Sequence, residues 1–178
     1  MMTRTKLLTW LGGAATEEDF AQLYRAELPR LYNFFRYRVG DEQLAEDLTS
    51  ETFEKAWRHR HRYRKDLAAF STWLFTIARR TAIDHFRRHN PQASLESVNH
   101  LSAEQTTEEM VQEQFDLARL FALLAQCSDR ERELVALKYG AGLTNRTIAG
   151  HTGLSESNVG TILHRLVKRL RAEWEVKE

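Results

Sequence analysis

The side chains best suited to chemistry in this 178-residue chain lie near its end. Ser157, Asn158, Thr161, His164, Arg165, Lys168 and Arg169 recur at helical spacing opposite Val159, Ile162, Leu163, Leu166, Val167 and Leu170. Asn and Arg suit hydrogen bonding to base edges; Ser, Thr and Lys suit phosphates or either target. That chemistry is recognition of nucleic acid. Ser155 stands where a helix cap belongs, Thr152-Gly153-Leu154 reads as a turn, and residues 144–151 read as a short helix with Ile148 and Ala149 inward. A short helix, a glycine-containing turn and a longer helix form the helix-turn-helix pattern, whose second helix enters the major groove. Residues 145–171 hold five basic residues (Arg146, Arg165, Lys168, Arg169, Arg171) against one acid, Glu156. A solvated amphipathic hairpin with no DNA role fits this stretch as well, because many helical hairpins turn on glycine.

A second cationic region lies upstream. Residues 58–88 hold nine Lys or Arg, among them Arg60, Arg62, Arg64, Lys65, Arg79, Arg80 and Arg87, against Asp66 and Asp84. Tyr63, Phe70, Trp73 and Phe75 are interleaved with them. Cations that track phosphates, combined with aromatic faces that stack bases, suit single-stranded DNA. The helical spacing of Phe70 and Trp73 places them in a core, whereas Tyr63 falls outside that register and is the better stacking candidate. Just before this region the sign is opposite. Residues 41–57 hold six acids and one base, Lys55, with Asp47, Ser50, Glu51 and Glu54 on an outer face.

The elements that must position these groups read as all-α, because helical periodicity dominates and only two prolines occur, Pro29 and Pro91. A first helix is expected over residues 16–39, bent or split by Pro29. A second covers residues 42–59, and a third residues 69–89, after a loop at 63–69. Residues 91–114 carry five glutamates, no Lys or Arg and few large apolar side chains, so they read as an acidic linker. A helix with Phe115, Leu117, Leu120, Phe121, Leu123 and Leu124 follows. Ser128 and Glu131 then form a capping box for a helix ending near Gly140. The division is an N-terminal arm at 1–15, one small domain at 16–90, the linker at 91–114, and a second small domain at 115–178.

Composition excludes several classes. The formal net charge is +1, so charge distribution rather than charge sum points to nucleic acid. Cys127 is the single cysteine, and the seven histidines are scattered, so neither a disulfide nor a metal or cofactor site is expected. Asp66 and Asp84 stand apart from other acids, which argues against a nuclease-like enzyme. The apolar run Leu7-Leu8-Thr9-Trp10-Leu11 is too short for a signal h-region or a membrane span, and a cytoplasmic location is expected.

Three stretches together resemble the extracytoplasmic-function group of the sigma-70 family. They are Ala45-Glu46-Asp47-Leu48-Thr49-Ser50-Glu51-Thr52-Phe53-Glu54-Lys55-Ala56-Trp57, then Phe70-Ser71-Thr72-Trp73-Leu74-Phe75-Thr76-Ile77-Ala78-Arg79, then the helix-turn-helix. The resemblance implies a sigma factor, not an enzyme, with two helical domains. Asp47, Ser50, Glu51 and Glu54 would dock on the β′ clamp helices of core RNA polymerase, and the second domain would meet the β flap. Arg60, Arg62, Tyr63, Arg64, Lys65, Ser71, Arg79, Arg80 and Arg87 would hold the minus-ten element, with the loop at 61–69 capturing a flipped base of the non-template strand. Arg146, Ser155, Ser157, Asn158, Thr161, His164, Arg165 and Lys168 would read the minus-thirty-five duplex. The linker would thread the polymerase channels, and an anti-sigma factor is implied as a further partner.

The sequence departs from the family pattern at Arg80, where Asn is frequent, at Ser50, where Gln is frequent, and at Gly160 and Ile162, which are often basic. The competing reading is a helix-turn-helix regulator that binds operators without entering polymerase. It accounts for the second domain but leaves the acidic helix and the basic-aromatic segment without a role.

Overall fold

The computed structural model describes residues 17–89 and 108–175; the expected N-terminal arm and most of the expected linker lie outside them. Helix α1 spans Glu17–Val39, α2 Glu42–Arg58 and α3 Phe70–Arg88, with a 3-10 turn at Arg60–Arg62 between the last two. Helix α4 spans Glu108–Ala125, α5 Asp129–Val135, α6 Asn145–Thr152 and α7 Glu156–Glu175. The described residues contain no strand, in keeping with the all-α reading. None of their helices is long and apolar enough to cross a membrane.

The caps follow from the local sequence. Asp41 accepts the Leu44 N–H at 2.7 Å and starts α2. At α5, Ser128 Oγ accepts the Glu131 N–H while the Glu131 carboxylate accepts the Ser128 N–H at 2.9 Å, completing the expected capping box. Thr144 caps α6 through the Thr147 N–H at 3.2 Å, and Ser155 caps α7 through the Asn158 N–H at 3.2 Å.

Three expectations change. Pro29 neither splits nor ends α1, which stays one element; its ring is exposed, and the buried Leu31, Phe34 and Phe35 pin the turns that follow. Helix α4 begins at Glu108, ahead of Phe115, so the end of the acidic stretch is helical; Glu and Gln are good helix formers and need no core to extend one. The helix after Ser128 is α-helical only to Val135 and then widens into a π turn, Ala136–Gly140.

Helices α1, α2 and α3 bury Leu31, Phe34, Phe35, Leu48, Leu74 and Phe75, whereas α4 to α7 bury Leu124, Leu134, Leu137, Ile148, Val159 and Leu166. These residues belong to one continuous apolar cluster, because the π turn packs on α1 and α6 touches α3. Each of these side chains contributes about 1.5–3 kcal/mol by leaving water.

Candidate nucleic-acid interface

The helix-turn-helix forms as the sequence implies. Gly153 closes α6 in the left-handed region at φ +72°, a conformation that any Cβ would strain. Ile148 and Val159 are fully buried and lock α6 onto α7. On the outer side Ser155, Ser157, Asn158, Thr161, His164, Arg165 and Lys168 are exposed together, with Arg146 beside them on α6. Arg146 lies 3.4 Å from Glu156, a solvent-exposed pair that a phosphate could displace.

Two residues of this helix differ from expectation. Arg169 does not join the open face: it pairs with Glu131 at 3.1 Å and contacts Cys127 Sγ at 3.5 Å, tying α7 back to α5. Burial would raise the Glu131 carboxyl, but hydrogen bonds from Ser128 and Arg169 outweigh it and hold it below the usual range. Gly160 is not merely a missing contact. A Cβ there would lie 3.4 Å from Asn145 Nδ2, so the position faces the start of α6 as well as solvent.

The basic-aromatic segment is assembled differently. Tyr63 is only 9% exposed, with its ring 5.4 Å from both Phe70 and Trp73. It is therefore a buried anchor rather than a free stacking platform. Its departure from helical register misled the sequence reading, because a loop residue can fold back onto a core. Burial also pushes its hydroxyl pKa up. Phe70 and Phe75 are buried as well, and Trp73 is half-buried.

With Tyr63 and Phe70 fixed, the intervening loop projects Arg64, Lys65, Asp66 and Leu67 into solvent. Leu67 is 75% exposed, an apolar group at a cationic loop tip that sequence reasoning missed. Its only signal is its place directly after the polar run Arg64-Lys65-Asp66, ahead of the helix that starts at Phe70.

The cations divide by partner. Arg60 lies 3.8 Å above the Trp57 ring and donates to the Trp57 carbonyl, which orients it without neutralising it. Arg64 makes two hydrogen bonds to Asp66, at 2.9 and 2.7 Å, and Arg87 pairs with Asp84 at 3.2 Å. Arg62, Lys65 and Arg80 are exposed with no ion pair among the described residues. Ser71 is half-buried at the start of α3. Arg79, like Tyr63, departs from the expected DNA-facing set: it reaches Glu133 at 2.8 Å and the His151 carbonyl, both from the second domain. No sequence pattern signals that contact, because its partners are more than fifty residues away.

The acidic helix presents Asp47, Ser50 and Glu54 to solvent, while Glu51 is partly covered by Lys55 at 2.7 Å. Glu54 is paired with Arg58 at 2.5 Å. These i,i+4 pairs leave the ridge net acidic and accessible. Among the described residues no group of His, Cys, Asp and Glu is placed to hold a metal ion.

Comparison with known proteins places both halves. Residues 23–92 match the family model Sigma-70 region 2, and residues 117–170 match Sigma-70, region 4. SigL of Mycobacterium tuberculosis, an ECF RNA polymerase sigma factor, is 30% identical over 162 residues, covering 90% of this chain and 92% of the relative. SigM of Bacillus subtilis, another ECF RNA polymerase sigma factor, is 29% identical over 152 residues, covering 85% and 92%. BldN of Streptomyces coelicolor is 31% identical over 160 residues; 88% of this chain matches, but it spans only 61% of that longer protein. Among solved structures, the sigma factor RpoE of Bartonella quintana, in complex with the anti-sigma factor NepR, superposes with a TM-score of 0.71. Its identity is 25%, over 90% of this chain and 99% of RpoE. CnrH, solved with the cytosolic domain of CnrY, shares the fold at TM-score 0.71 and 21% identity over 97% of both chains.

Proposed function

Because the chain belongs to the extracytoplasmic-function group of the sigma-70 family, we propose that it binds core RNA polymerase and directs it to promoters whose two elements it reads with separate domains. Sigma factors are binding subunits, not enzymes. The observation that carries this reading is that one chain exposes three different faces: the acidic ridge of α2, the cationic loop tip before α3, and the polar face of α7.

The roles follow from charge and shape. Asp47, Ser50, Glu51 and Glu54 dock on a basic surface of the polymerase clamp. Electrostatic complementarity there sets partner choice and association rate. Arg62, Arg64, Lys65 and Arg80 follow the backbone of the displaced minus-ten strand, and Leu67 meets a base drawn out of the stack. The anchored cluster of Tyr63, Phe70 and Trp73 keeps this loop in shape while the duplex melts, so unstacking is offset by contacts already in place. Helix α7 enters the minus-thirty-five major groove, with Asn158 and Arg165 toward base edges and Ser155, Ser157, Thr161 and Lys168 toward phosphates. An anti-sigma factor is a further partner in this reading, as NepR is for RpoE. The site of action is the cytoplasm.

Reconstituted transcription tests the proposal. Purified chain added to core enzyme should give promoter-dependent initiation from genomic templates, and its absence from every template would refute the sigma reading. Asp47→Arg with Glu51→Arg should abolish core binding, with circular dichroism unchanged. Undiminished affinity would remove the docking assignment.

A further inference from the structure

Two residues of the helix-turn-helix hold places that the fold does not explain. Gly160 lies inside α7, where glycine is a poor helix former. Nothing in the packing demands it. The contact that a Cβ would make across to α6 is Asn145 Nδ2 at 3.4 Å, which is ordinary van der Waals spacing. Asn145 opens α6 but does not cap it, because Thr144 Oγ1 already accepts the Thr147 N–H at 3.2 Å. Asparagine is no better than average in a helix, so neither residue is there for helix stability.

The amide of Asn145 is also turned in an unusual way. Oδ1 is enclosed and has no hydrogen-bond partner, although the residue as a whole is only half-buried. Buried polar atoms are normally satisfied, so this orientation costs stability. It leaves Nδ2, the atom over Gly160, as the open end of the amide. A side chain longer than a methyl group at position 160 would cover that donor; glycine leaves it clear. One turn back on the same face of α7, Glu156 meets Arg146, the residue after Asn145, at 3.4 Å. Arg146 is 87% exposed, so that loose pair gives way to a stronger anion.

We propose that Asn145 takes the place of the side chain that position 160 lacks, and that its Nδ2, together with the Arg146 guanidinium, seats one backbone phosphate of the minus-thirty-five duplex. This inference rests on the reading above, in which α7 enters the major groove. A phosphate fits better than a base for two reasons. The open end of the amide is a donor, which suits an oxygen acceptor, and its neighbour is a cation. The first helix of a helix-turn-helix also crosses the DNA backbone, so a donor carried on α6 meets phosphate there. The contact fixes the register of α7 in the groove without reading sequence. Gly160, which departs from a basic pattern, is thus one half of a two-helix contact: α7 gives the space and α6 the donor.

The test measures fluorescence anisotropy of the full chain on two labelled probes. One is a random-sequence duplex; the other is a duplex selected by the unmodified chain and carrying single methylphosphonates in turn. Asn145→Ala should weaken binding about fivefold, the worth of one ordinary hydrogen bond, equally on every sequence. Because the amide is neutral, the salt dependence should not change. Arg146→Ala should instead reduce it by about one charge. Adding Gly160→Lys to Asn145→Ala should restore affinity and raise the salt dependence by about one charge, which a merely structural role for Asn145 would not produce. Gly160→Leu, a better helix former, should lower affinity as Asn145→Ala does, and the two together should lower it no further. One methylphosphonate position that weakens the unmodified chain should have no effect on Asn145→Ala. Circular dichroism checks folding; should Asn145→Ala fail it, Asn145→Asp decides, and its carboxylate should weaken binding more than alanine does. Unchanged affinity, an unchanged methylphosphonate pattern or a loss confined to one base position would overturn the seat. Transcription by the unmodified chain with core polymerase is measured separately. If it is absent while the seat behaves as expected, the sigma reading falls and the seat stands; if it is present while Asn145→Ala binds like the unmodified chain, the reverse holds.

Discussion

In α7 the side chains proposed to face duplex DNA are carried by the helix alone: His164, Arg165 and Lys168 have no side-chain partner among the described residues. In the segment from Arg58 to Arg88 the cations are mostly engaged already, by Glu54, Trp57, Asp66, Asp84 or Glu133. The contrast matches the two tasks. Reading an intact duplex needs a rigid helix that delivers free side chains, and Ile148 and Val159 supply that rigidity. Capturing a melted strand, the task proposed for this segment, needs a shaped loop and cations held in place. Pairing and exposure, not sequence charge, separate the two surfaces.

Several substitutions would break or sharpen this contrast. The largest effect is expected from Ile148→Ala, which should cost about 2–5 kcal/mol in urea unfolding by leaving a cavity under the helix-turn-helix. Because the two halves share one core, tryptophan fluorescence from the first half should report the same loss. A transition confined to the second half would show that the halves fold separately.

Next is Arg165→Ala. It should weaken binding to a minus-thirty-five duplex by about 1–3 kcal/mol and relax preference at one base position. Lys65→Ala should instead weaken binding to all single strands alike and reduce the salt dependence by about one charge. An equal loss on every duplex would make Arg165 a phosphate contact and erase the contrast. Gly153→Ala, which forces a side chain into the left-handed region, should cost about 1 kcal/mol and lower duplex affinity while leaving single-strand binding unchanged.

The smallest effect is a pH dependence. Burial, and Arg79 nearby, hold His151 below its ordinary value of 6.5, while Glu133 opposes them. The unfolded state thus binds more protons than the folded one, so this contribution to stability is at full strength above that ordinary value and weakens as pH falls through it. Urea unfolding from pH 7.5 down to about 5.5 should show falling stability, and His151→Gln should flatten the profile. A profile unchanged by that substitution would assign the effect to His85, which burial and His89 also depress.

Much of the architecture was legible because it is local. The capping box at Ser128, the cap at Ser155 and the left-handed turn at Gly153 depend on residues within one helical turn. The exposed acidic ridge of α2 and polar face of α7 follow from period alone. The burial of Tyr63 is not legible in the sequence, because it depends on Phe70 and Trp73 meeting it in space. Helical phase puts Arg169 on the open face and cannot reveal that Glu131 lies across a short gap.

By itself the sequence determined the helices, their caps, the order of acidic and basic faces, and a resemblance strong enough to imply two promoter-reading domains. Tertiary structure alone decided which of those charges are free. Arg79 meets Glu133, and Gly140 brings two backbones together, through close packing between distant segments, which no local pattern records.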